Sequence, residues 1–140
     1  MPKPLLSLIL LALGASLLTA CGLLPAAPGA AKPIQITSAD NGKTFDIGVG
    51  QQAVVALAGN ATTGYAWEAA PPSSASVTPV GERQYQEDAH PAGQVGVGGT
   101  YTFTYQGASA GGAKLSFVYR RPWEKDTPPA QTFDVTLNVK

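Results

Sequence analysis

The segment Thr100-Tyr101-Thr102-Phe103-Thr104-Tyr105-Gln106 decides the fold. Aromatic rings at 101, 103 and 105 alternate with hydroxyls at 100, 102 and 104, a period of two that an extended strand converts into one apolar face and one wetted face. Aromatic and β-branched residues also pack well on a pleated surface. Residues 114–120 repeat the pattern with Leu115, Phe117 and Tyr119, and residues 132–139 repeat it with Phe133, Val135, Leu137 and Val139. Upstream, the sequence predicts strands over 33–37, 52–58 and 65–69, a less marked one over 82–87, and a short piece over 45–49 after the turn Asp40-Asn41-Gly42. The stretch 75–87 has room for two pieces instead of one. No segment carries a helical stripe. The expectation is an all-β domain, an immunoglobulin-like β-sandwich of about seven to eight strands without a disulfide, with Trp67 in its core.

If consecutive strands run up and down, alternate connections share an end. The connections 59–64, 88–99 and 121–130 should then cluster, and 107–112 should lie at the opposite end.

Ahead of this domain, Lys3 precedes an apolar run from Leu5 to Leu18, about 14 residues and short of the roughly 20 that span a bilayer. Leu18-Thr19-Ala20-Cys21 matches a bacterial lipobox, in which small residues precede a cysteine that is acylated on sulfur and becomes the mature N-terminus. The expected organisation is a lipoprotein signal peptide over 1–20, acylated Cys21 and a flexible tether over 21–32, and one domain over 33–140. Gly22 stands where an aspartate would retain a lipoprotein at the inner membrane, so an exported protein anchored through Cys21 at the outer membrane is expected in preference to the inner.

Cys21 is the only cysteine, and acylation leaves no thiol for a disulfide, a metal site or a nucleophile. His90 is the only histidine, sits in a proline-containing loop and reads as a solvated residue. Glu87, Asp88, Glu124 and Asp126 read as exposed charge. Nothing here assembles an enzyme, a cofactor site or a metal site. Without Lys3, eight Lys and Arg stand against nine Asp and Glu, a balance that argues against a nucleic-acid partner. A monomer with no small-molecule substrate is expected.

Three loop motifs remain: Asn60-Ala61-Thr62-Thr63-Gly64-Tyr65, Gly96-Val97-Gly98-Gly99 and Arg121-Pro122-Trp123-Glu124. In this order and spacing they resemble the chagasin family of cysteine protease inhibitors, whose motifs read N-P-T-T-G-[FY], G-x-G-G and R-P-[WF]. The resemblance implies a reversible, non-covalent inhibitor of papain-like cysteine proteases, with three loops wedged along the active-site cleft. By the same resemblance, the protease-binding residues are Asn60, Thr62, Thr63, Gly64, Gly96, Gly98, Gly99, Arg121, Pro122 and Trp123. Thr62 matches the threonine that approaches the catalytic cysteine, the second loop lies beside substrate subsites, and Trp123 matches an aromatic on the primed side.

The residue chemistry agrees with several of these roles. Gly98 and Gly99 lack a Cβ, so a partner backbone can come close to them. Trp123 follows a proline in a polar loop and should be exposed. Gly64 suits a turn that needs positive φ. Arg121 can bond a protease or pair with Glu124, and the sequence leaves both open. Tyr65 and Trp67 read as core residues. Ala61 replaces the family's proline, which should loosen the first loop. The alternative is a lipid-anchored immunoglobulin-like interaction or envelope-structural module that binds another protein or a glycan through the same loops.

Overall fold

The computed structural model describes residues 31–140; the expected signal peptide and Cys21 lie outside the described residues. Among the described residues there are nine strands: β1 (Ile34–Thr37), β2 (Thr44–Ile47), β3 (Gln52–Gly59), β4 (Ala66–Ala69), β5 (Val77–Pro79), β6 (Gln84–Glu87), β7 (Gly99–Gly107), β8 (Gly111–Arg120) and β9 (Gln131–Val139). They form two sheets. One runs β1-β3-β7-β5, with β6 also on β7, and the other runs β2-β9-β8-β4. The β1–β3 and β2–β9 pairs are parallel and the rest antiparallel, so each sheet is mixed.

The alternation read from the sequence becomes burial. Along β7, Tyr101, Phe103 and Tyr105 point inward, and Leu115, Phe117 and Tyr119 of β8 and Phe133, Val135, Leu137 and Val139 of β9 face them from the other sheet. Phe117 sits at the centre, its ring 4.9 Å from Phe103, 5.8 Å from Phe133 and 6.1 Å from Tyr105. Trp67 is buried, and its Nε1–H donates to the Ala58 carbonyl at 2.9 Å, fastening β4 of one sheet to β3 of the other.

The stretch 75–87 holds two pieces, β5 and β6, the alternative that the sequence left open. Pro79 lies on the free edge of β5, the Val80 N–H still donates to the Thr104 carbonyl at 2.8 Å, and Gly81 then turns at φ +70°, so the chain leaves β7 after Val80. Both pieces run antiparallel to β7 along one edge, Val77 opposite Gly107 and Glu87 opposite Gly99, and so they run in the same direction. The break therefore leaves the up-and-down count intact, and all three motif loops leave the sandwich at one end. Gly59 pairs with Gly99 there, and Ala66 with Arg120. Ile34 pairs with Ala53 at the other end, where β1 begins.

Phe117→Ala should lower unfolding stability by about 3–5 kcal/mol, because it opens a cavity among three rings. Val49→Ala, at a side chain 60% exposed, should change stability by less than about 0.5 kcal/mol. Urea unfolding midpoints check both.

Candidate functional site

The first loop, residues 60–65, is a short 3₁₀ turn (Ala61–Thr63) capped by Asn60 and closed by Gly64. The Asn60 Oδ1 accepts from the Thr62 N–H at 3.0 Å and from the Thr62 hydroxyl at 2.6 Å. The Thr63 hydroxyl donates to the Asn60 carbonyl at 2.6 Å. Both threonine hydroxyls thus spend their proton inside the turn, and the Thr63 oxygen also accepts from the Tyr65 N–H at 3.4 Å. Gly64 adopts φ +79°, a conformation that favours glycine. Ala61, in the proline position of the motif, keeps an N–H that faces the Tyr85 hydroxyl at 3.5 Å.

The second loop, residues 88–98, is closed at its base by the Asp88 N–H on the Gly98 carbonyl at 2.9 Å. Gly96 has φ +76°, and its carbonyl accepts from Asn60 Nδ2 at 2.9 Å. One carboxamide therefore caps the first loop and ties it to the second. Val95, which the motif reading did not include, is 90% exposed beside this anchored carbonyl. Its signal in the sequence was an isolated apolar residue between turn glycines. His90 is exposed, with Nε2 3.3 Å from Glu87 Oε1.

The third loop, residues 121–130, opens with a turn in which the Glu124 N–H donates to the Arg121 carbonyl at 3.0 Å. Pro122 at the second position suits this turn. Arg121 lies over the Tyr65 ring at 4.8 Å, donates from Nε to the Thr63 carbonyl at 3.4 Å, and pairs through NH1 with Glu124 at 3.2 Å. Of the two roles the sequence left open, pairing with Glu124 is present, and Arg121 also joins the third loop to the first.

Trp123 is 67% exposed, yet one edge of its indole rests on Gly64, where an added Cβ would lie 2.6 Å from Cη2. Gly64 thus answers two demands, a left-handed backbone and a seat for the indole.

The two adjacent glycines of the second motif part company. A Cβ on Gly98 would meet only the Gly59 carbonyl at 3.4 Å and Asp88 Oδ2 at 3.8 Å, ordinary contacts that the fold would tolerate. Gly99 is buried, and a Cβ there would lie 2.7 Å from the Tyr85 ring and hydroxyl and closer still to the Gln86 carbonyl. The missing side chain of Gly99 makes room for β6 inside the molecule.

Tyr65 is half-buried, with its ring 5.3 Å from Tyr119. Beneath the first loop, the Tyr119 hydroxyl accepts from the Asn60 N–H at 2.9 Å and the Tyr101 hydroxyl donates to the Tyr65 carbonyl at 3.2 Å. Burial pushes the Tyr101 hydroxyl above its ordinary range, against the pull of the Arg83 guanidinium. These bonds were not visible in a sequence that marked both tyrosines only as core rings.

Away from the loops, an open cleft of about 440 Å³ lies beside the β5–β6 break, lined by Trp67, Arg83, Phe103 and Tyr105 among others. Burial pushes the Tyr105 hydroxyl up to about 12. Among the described residues, no three His, Cys, Asp or Glu side chains are grouped to hold a metal ion.

This arrangement has known counterparts. The family model described as "Chagasin family peptidase inhibitor I42" matches residues 46–137. Amoebiasin-1 of Entamoeba histolytica is 34% identical over 107 residues, covering 76% of this chain and all of that protein. Chagasin of Trypanosoma cruzi is 31% identical over 109 residues, covering 75% of this chain and 96% of its own. In fold, the chain resembles the crystal structure of a cysteine protease inhibitor from Entamoeba histolytica, with TM-score 0.70 at 21% identity over 81% of this chain and all of that one. The chain, with its three motif loops gathered at one end of an immunoglobulin-like sandwich, belongs to the chagasin family of peptidase inhibitors, a family of inhibitors and not of enzymes.

Proposed function

We propose that the domain is a reversible, non-covalent inhibitor of papain-like cysteine proteases, and that its three loops enter the active-site cleft together. The observation that carries this reading is the cross-bonding of the loops. Asn60 holds Gly96, Arg121 holds Thr63 and Gly64 seats Trp123, while Trp123 itself stays 67% exposed. A large aromatic left in water on a braced loop contributes little to folding and much to a partner. The bracing lowers the ordering cost of association, and a loop already in its bound shape spends less of the interaction energy on immobilisation.

Contacts divide accordingly. Trp123, Gly98 and Thr62 are the proposed protease contacts, with Thr63, Gly96 and Pro122 flanking them. Asn60, Gly64, Arg121 and Gly99 shape the loops from behind. Thr62 is the residue proposed to stand nearest the catalytic cysteine.

The protein is further proposed to be exported and anchored through a lipid on Cys21, with the outer membrane favoured. The loops lie at the end of the sandwich opposite Lys32, whose carbonyl accepts from Gln51 Nε2 at 2.9 Å. The eight residues of β3 separate the two ends by roughly 26 Å at about 3.3 Å per residue. A tether leaving from that end would direct the loops away from the membrane, toward a protease arriving from solution.

The test is a fluorogenic peptide assay with papain and the soluble domain. Inhibition that titrates with inhibitor and reverses on dilution is expected, and none at micromolar protein would refute the reading in favour of a module that binds another protein or a glycan. Trp123→Ala should weaken inhibition about 30- to 1,000-fold with little change in melting temperature. Gly98→Val should also weaken inhibition and leave the fold intact, whereas Gly99→Ala should lower the melting temperature because its Cβ meets backbone. Cys21→Ala should move the protein from the membrane fraction to the soluble fraction and abolish labelling by a fatty-acid probe, while papain inhibition by the purified protein stays the same.

A further inference from the structure

The first loop crosses the end of the sandwich where a protease would read it, and its chain has to avoid being cut. Three tyrosine hydroxyls meet its backbone from below. Tyr119 of β8 accepts from the Asn60 N–H at 2.9 Å, Tyr101 of β7 donates to the Tyr65 carbonyl at 3.2 Å, and Tyr85 of β6 faces the Ala61 N–H at 3.5 Å. They approach from both sheets and grip the loop at its entry and its exit. The rings in the middle of the core, Phe103, Phe117 and Phe133, carry no polar atom.

Space for this grip comes from two glycines. Gly59 and Gly99 are paired across β3 and β7. A Cβ on Gly59 would lie 2.8 Å from Tyr101 Cε2 and 3.1 Å from Tyr119 Cε2, and a Cβ on Gly99 would lie 2.7 Å from Tyr85 Cζ and Oη. The glycine pair is a notch through which the tyrosines reach the loop. Tyr85 and Tyr101 also pack on each other at 4.6 Å, so the cradle is continuous with the core.

We propose that Tyr119, Tyr101 and Tyr85 are positioning residues that keep residues 60–65 in a closed turn, and that this closure prevents the bound loop from being cleaved as a substrate. The inference rests on the inhibitor reading above. A cleft that binds an extended peptide pairs with its main-chain N–H and C=O groups. In the closed turn the Asn60 carbonyl accepts from the Thr63 N–H at 3.3 Å and the Ala61 carbonyl from the Gly64 N–H at 3.1 Å. Extending the loop would break these bonds together with those to the tyrosines. Removing a hydroxyl lowers the cost of opening without removing a ring from the core.

Tyr119→Phe, Tyr101→Phe, Tyr85→Phe and the triple variant test this, with Tyr105→Phe as a control whose ring lies in the same core away from the loop. Amide exchange of the free proteins should accelerate at least tenfold over residues 61–65 in Tyr119→Phe and in the triple variant, and stay unchanged in Tyr105→Phe. After incubation with papain, mass spectrometry should find new cleavage within residues 60–65 of those variants and none in the parent. Unchanged exchange and an uncut loop in folded Tyr119→Phe and triple variants would overturn the proposal. Should those two fail to fold, Tyr101→Phe decides by the same readouts. If the parent protein does not inhibit papain, the inhibitor reading fails, and with it the protective role; the exchange measurement then still judges the cradle on its own.

Discussion

Gly59 stands opposite Gly99 at the loop end of the central strand pair of one sheet, and a one-residue slip in that register would turn Tyr101, Phe103 and Tyr105 out of the core. The register also sets the first two loops side by side, within reach of the single carboxamide of Asn60. With a side chain at either glycine, the tyrosines beneath could not approach the loop backbone. The core and the candidate site therefore depend on the same few ångströms at the end of β3 and β7.

The fold was legible where the signal is local. Alternation at 101, 103 and 105, at 115, 117 and 119, and at 133, 135, 137 and 139 gave the inward faces directly, and turn residues bounded the strands. The clustering of the three loops followed from counting strands. It survived the break after Val80 because β5 and β6 run the same way along β7. The parallel pairings of β1 with β3 and β2 with β9 carry no turn signature, since they join strands that no hairpin connects.

Within the site, the motifs named the loops but not the direction in which each residue looks. Gly98 and Gly99 are identical neighbours in sequence, and what separates them is the position of the Gln86 carbonyl and the Tyr85 ring, contributed by a strand 12 or more residues earlier. Arg121 could be read as a contact or as a brace until the positions of Thr63, Tyr65 and Glu124 were known. Tyr119 carried a hydroxyl whose partner, Asn60, lies 59 residues away. Such long-range side-chain-to-backbone bonds have no periodic trace, yet they decide which motif residues remain free for a partner.

Taken as a unit, the loop end presents an exposed indole, an open glycine and a capped turn whose relative positions are fixed before any encounter. A half-exposed ion pair such as Arg121 with Glu124 adds only about 1 kcal/mol to stability, so its value here lies in geometry. The most direct measurement of the central claim is an amide-exchange footprint of the domain with and without papain. Protection confined to residues 60–65, 94–99 and 121–125 is predicted. Protection over 107–112 or along the cleft beside the β5–β6 break, with these three segments unchanged, would contradict it.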